Sequence, residues 1–182
     1  MKKLTSIVAV FLISLISVGL LLMVMGFRVN LTESIPIGLY HITNAGAVKN
    51  AYVIFCPDDR NAFKQALDRD YIDHGLDCGG YGYLMKKVVA IANDIVSVTP
   101  DGVYVNQTLI PYSTPKLTDG MNRLLPQWHV LNYRLKEDEV MTMTSQSEWS
   151  FDGRYYGLVR LRQIKGMITP VWVIDRQEKE HG

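Results

Sequence analysis

The sequence predicts a mainly β fold: a small folded-sheet or barrel domain with one N-terminal transmembrane helix and one short amphipathic helix. Three observations carry this. An uncharged apolar run opens the chain, short apolar stretches at close spacing fill most of the remainder, and a single segment shows helical spacing.

The opening run spans Leu4 to Phe27, 24 residues without a charge. At 1.5 Å per residue it reaches about 36 Å, enough to cross a bilayer core of about 30 Å. A cleavable signal is the plainer alternative, with Val24 and Gly26 as the small residues of a cleavage site. Secretory apolar cores are shorter, roughly 7–15 residues, so the length favours a retained anchor. Lys2 and Lys3 precede the run and only Arg28 follows it closely. The positive-inside rule then expects a cytoplasmic N-terminus. The chain thus divides into an anchor, or uncleaved signal, over 1–28 and an extracytoplasmic domain over 29–182.

In the domain, "YVIF" (52–55), "YLMKKVVAIA" (83–92), "TLIPY" (108–112), "EVMTMTS" (139–145), "YGLVRL" (156–161) and "VWVI" (171–174) read as strands. "DIVSVTPDGVYV" (94–105) reads as a hairpin about Asp101-Gly102. In "DDRNAFKQALDRDYI" (58–72), Phe63, Ala66, Leu67 and Tyr71 share one helical face. Residues 113–138, with Pro115, Gly120 and Pro126, read as a long loop. The 19 Lys and Arg nearly balance the 18 Asp and Glu, so nothing here implies a nucleic-acid partner.

Two residues stand against the pattern. Lys86 and Lys87 are adjacent in an otherwise apolar strand, so each face of that strand carries one lysine. Snorkelling of a long stem over apolar surface is the structural reading. The chemical reading is that a buried lysine loses its charged form and becomes a general base for a serine hydroxyl.

Ser34 offers such a hydroxyl. "TESIPIGLY" (32–40), "LMKKVVAIANDIV" (84–96) and "SFDGRYYG" (150–157) follow the apolar run in that order. The ordered set resembles the signal peptidase I clan of membrane-bound Ser–Lys proteases (peptidase family S26). The spacing Ser34-Ile35-Pro36-Ile37-Gly38 is similar to its conjugative-transfer, TraF-type branch, as are "GVYVNQTLIPYS" and "LPQW". The resemblance implies a serine endopeptidase domain with Ser34 as nucleophile and Lys86 as general base. It also implies that Thr32 and the Ser34 backbone N–H hold the oxyanion, and that Ser150 orients the lysine. Asp152 and Arg154 would support the late segment, the aspartate with a further claim on activity. One departure is Asn93-Asp94 where the family has Gly-Asp; Asn tolerates φ > 0, so the turn is expected to survive.

By the same resemblance the substrate is a pre-protein with small side chains before the scissile bond, in this branch a pilin precursor. The partners are then membrane lipid and the conjugation machinery, in a bacterial inner membrane with the domain in the periplasm. Hydrolysis and joining of pilin ends share an acyl-enzyme and are not distinguished by sequence. Two other readings stand beside this one: a non-catalytic, membrane-anchored assembly component of a secretion channel, and a housekeeping signal peptidase. An intact Ser34/Lys86 pair argues against the first, and the Ser-Ile-Pro-Ile-Gly spacing against the second.

Cys56 and Cys78 are disulfide candidates if the domain lies outside the cytoplasm; closing their loop of about 20 residues contributes roughly 3 kcal/mol. With His74 and Asp77 they make a poor zinc pattern, so no metal and no cofactor is expected. His41, His129 and His181 read as ordinary core or surface residues.

Overall fold

The computed structural model describes residues 2–144 and 146–174, so His181 lies outside the described residues. Helix α1 (Lys2–Val24) forms from the apolar run, and Ser17 Oγ bonds back to the Ile13 carbonyl at 2.8 Å. Its Lys3–Val24 stretch has a mean hydropathy of 3.0 and packs none of its length into the domain. It is long and apolar enough to cross a membrane.

Three strands follow before the next helix: β1 (Phe27–Asn30), β2 (Gly38–Thr43) and β3 (Tyr52–Phe55). Helix α2 (Asn61–Asp68) buries Phe63 and Ala66 and leaves its charges outward. A small hairpin, β4 (His74–Gly75) and β5 (Gly80–Tyr81), precedes the central strand β6 (Leu84–Ala90). Then come β7 (Ile95–Thr99), β8 (Gly102–Val105), β9 (Thr108–Leu109), β10 (Val130–Arg134) and β11 (Glu139–Met143). Helix α3 (Gly153–Tyr156), β12 (Val159–Arg160) and β13 (Ile164–Val173) complete the described chain.

Seven strands form one sheet in the order β1-β2-β13-β3-β6-β11-β12; four form a second, β10-β7-β8-β9. Three apolar clusters result. Val53, Phe55, Phe63, Val88 and the rings of Phe151, Tyr155 and Tyr156 fill one face of the large sheet. Ile35, Tyr40, Ile54, Met85 and Ile168 fill another. Val89, Ala90, Met141 and Met143 meet Val96, Val98, Val103 and Val105 where the two sheets join. Every residue of β11 is buried, as expected of a strand covered on both faces. Burial of one such side chain, Phe63 for example, contributes roughly 1.5–3 kcal/mol.

The structure corrects the reading in three places. Tyr156 closes a helical turn and is not the start of a strand; that strand is only Val159–Arg160. Asp152 caps the turn by accepting the Arg154 N–H at 3.2 Å, and Arg60 Nη1 donates to the Tyr156 and Leu158 carbonyls. The 113–138 loop contains β10, whose pairing with β7 shifts register between Val130 and Tyr133. "TLIPY" contributes only Thr108–Leu109. At the Asn93-Asp94 turn, Asn93 takes φ 72°. Cys56, just beyond β3, is joined to Cys78 in the β4–β5 turn with Cα atoms 5.2 Å apart.

Candidate active site

The segment carrying Ser34 is a loop closed at both ends by the sheet, since Asn30 of β1 pairs with Gly38 of β2. Gly38 must be a glycine: a Cβ there would sit 2.2 Å from the Trp172 carbonyl oxygen. Pro36 accepts the Tyr40 hydroxyl at 2.6 Å, and Ile35 is buried in the core. The elbow is therefore anchored from beneath, and Ser34 is half-buried rather than exposed.

Lys86 lies mid-strand in β6, paired with Val53 of β3, and is only 2% exposed. A register shift between Met141 and Thr142 interrupts the β6–β11 ladder beside it. The Lys86 side chain runs to the bottom of a groove of about 660 Å³. There Nζ lies 2.6 Å from Ser34 Oγ and 2.7 Å from Ser150 Oγ. Burial lowers the lysine from its ordinary 10.5 to about 8; Asp152 opposes the shift and Arg154 adds to it. Lys87, the next residue, is only partly buried.

Asp152 and Arg154 are both fully buried and meet side by side: Nε to Oδ1 at 2.8 Å and Nη2 to Oδ2 at 2.9 Å. The pair also gathers backbone. Thr144 N–H donates to Asp152 at 3.3 Å, and Arg154 Nη1 reaches the Thr114 carbonyl at 3.4 Å. These bonds straddle Ser150 and hold it under the lysine. Phe151, next in the chain, lies against the rings of Tyr71, Tyr155 and Tyr156 at 5.5–5.8 Å, which fixes the same segment from the other side. Burial also pushes the Tyr156 hydroxyl well above the usual tyrosine range.

The geometry therefore brings Ser34, Lys86 and Ser150 into direct contact and sets Asp152 and Arg154 behind them. Thr32 is exposed on the groove, and its hydroxyl donates to Asn30 Oδ1 at 2.9 Å. The disulfide ties the β4–β5 hairpin, one wall of the groove, to the end of β3. His41 is partly buried against Phe27, and His129 is exposed. Asn30 is the residue that sequence reasoning passes over; an amide at a strand end before a turn looks unremarkable until its burial is known.

Residues 2–173 match the family described as "Signal peptidase, peptidase S26". The chain belongs to that family. This S26 chain is 47% identical over 146 residues to the "Plasmid transfer protein TraF" of Escherichia coli, covering 80% of the chain and 82% of that protein. It is 31% identical to the "Conjugal transfer protein TraF" of Agrobacterium tumefaciens, covering 81% and 82%. It is similar as well to a signal peptidase I of Enterococcus faecalis, at 13% identity and a TM-score of 0.40, covering 70% of the S26 chain and all of the other. A peptidase-like role in conjugation follows from the family and the named relatives.

Proposed function

We propose that this protein is a membrane-anchored serine endopeptidase that cleaves pre-proteins with a Ser34–Lys86 dyad, and that its substrate in conjugative transfer is a pilin precursor. The observation that carries the reading is one buried amine set against two hydroxyls, 2.6 and 2.7 Å away. As an ammonium, Lys86 donates to both. Once neutral, it has one lone pair; both serines line the groove, and Ser34 is the more exposed of the two, open to a substrate there. Lys86 takes the Ser34 proton, Oγ attacks the scissile carbonyl, and the resulting ammonium protonates the departing amine. Ser150 keeps Nζ from swinging away. The Ser34 N–H and the Thr32 hydroxyl hold the oxyanion, the latter exchanging its bond to Asn30 for one to the substrate. Water or an amine then resolves the acyl-enzyme.

The same proposal sets the N-terminus in the cytoplasm and the domain, 29–182, in the periplasm. Lys2 and Lys3 before α1 support it, and so does the Cys56–Cys78 bridge, which suits an oxidising compartment. Added protease should digest the domain in spheroplasts; protection would reverse the orientation. The activity itself is tested by mass spectrometry of a co-expressed prepilin. The wild-type chain should yield the shortened product and Ser34→Ala only the precursor. Equal processing by both would remove Ser34 from the chemistry.

A further inference from the structure

Asn30 ends β1 with its side chain turned into the loop that carries Ser34, and it is only 5% exposed. Its amide is fully employed. Nδ2 donates to the carbonyls of Thr32 at 2.8 Å, Ile35 at 2.9 Å and Pro36 at 3.1 Å. Oδ1 accepts the Thr32 N–H at 3.3 Å and the Thr32 hydroxyl at 2.9 Å. These partners lie on both sides of Ser34 in the chain. The backbone of Asn30 also pairs with Gly38, where the loop rejoins the sheet. One side chain thus fills the inside of the loop and satisfies carbonyls that would otherwise turn toward it unpaired.

A loop of this kind, with Thr32 and Glu33 exposed, has many conformations open to it. Only those that keep Ser34 Oγ beside Lys86 Nζ can react. A displacement of about 1 Å at a reacting group costs on the order of 10²-fold in rate. The bonds to the Ile35 and Pro36 carbonyls clamp the chain immediately after the serine; those to Thr32 clamp it two residues before.

We propose that Asn30 is a positioning residue: its amide holds the Ser34 loop in the reactive geometry and sets the Thr32 hydroxyl at the groove edge. The proposal rests on the Ser34–Lys86 reading above, and acts through Ser34 and Thr32, with no contact between Asn30 and substrate.

Asn30→Asp has nearly the same shape and keeps the acceptor for Thr32, but replaces the donor that faces three carbonyls. Asn30→Ala removes both functions and adds no charge. The test uses the purified full chain in detergent and a quenched peptide with small residues before its scissile bond. Rates are expressed per folded molecule, from circular dichroism melts of the same samples. Both variants should lose about 10²-fold in kcat with KM within about twofold of wild type. In Asn30→Ala the midpoint of the pH–rate profile should stay close to wild type, because the burial that lowers Lys86 is kept and no charge is added; in Asn30→Asp the new carboxylate in the same groove should move it upward. A residue that merely stabilised the fold would lower the melting temperature and leave kcat per folded molecule near wild type. That result in both variants, beside an inactive Ser34→Ala, overturns the role of Asn30 alone. Wild-type turnover by Ser34→Ala overturns the dyad and this proposal with it.

Discussion

Lys86 and Arg154 are two cations buried to almost the same degree within one site, 2% and 0% exposed, yet they are held in opposite ways. Arg154 faces a carboxylate through two parallel bonds of 2.8 and 2.9 Å. Lys86 faces two hydroxyls. A guanidinium cannot give up its proton, so its burial is tolerable only with Asp152 beside it. An ammonium set among hydroxyls can lose its proton, and burial lowers Lys86 to about 8. The comparison separates structural charge from chemical charge. One is locked by its partner, the other is left free to change state.

The largest effect expected from breaking this contrast is at the locked pair. Arg154→Ala leaves the Asp152 carboxylate buried and uncompensated, and should cost about 3–5 kcal/mol of stability. Urea titration of the full chain in detergent measures it. A loss below about 1 kcal/mol would mean that the pair is not the brace of the segment that carries Ser150.

Lys86→Met removes the charge that can change state, and with it both the activity and a pH dependence of stability. Between about 8 and 10.5 the folded lysine is neutral and the unfolded one still charged. Wild-type stability therefore rises with pH over that window relative to the variant, by on the order of 2–3 kcal/mol between pH 7 and pH 10. Parallel melts at the two pH values check the sign; wild-type stability that falls with pH relative to the variant contradicts it.

A smaller effect is expected at Ser150. Its hydroxyl supplies one of two bonds to the amine, and a hydrogen bond to a charged group contributes about 1.5–3 kcal/mol. Ser150→Ala should then slow prepilin cleavage by roughly 10–100-fold without unfolding the chain. Smallest of all, Lys87→Arg should stay within about twofold of wild type in the same assay, because the half-exposed neighbour can remain charged.

What the sequence discloses follows the same division. The strand at 52–55 is legible because four apolar residues in a row leave little choice, and the helix about Phe63 because its burial repeats every third or fourth residue. β13 is legible only at its end. Lys165, Gly166 and Pro170 break its apolar pattern, and its length comes from pairing with β2 and β3 on its two sides. β10 is hidden because Leu131 and Asn132 face solvent across an irregular register. The turn at Gly153–Tyr156 depends on the Asp152 cap and on burial of all four residues, which no local periodicity announces. At the site, motif order names Ser34, Lys86, Ser150, Asp152 and Arg154. The role of each is a matter of distance and burial, and Asn30 is visible only through them.

The central claim is that Lys86 works as a neutral base toward Ser34. It is tested most directly by prepilin cleavage across a pH series, with purified wild type and Lys86→Arg in detergent. Wild-type activity should rise with pH through a midpoint of about 8 as the buried amine loses its proton. Lys86→Arg, permanently charged, should be inactive at every pH while its circular dichroism stays native. Wild-type rates in a folded Lys86→Arg would contradict the account.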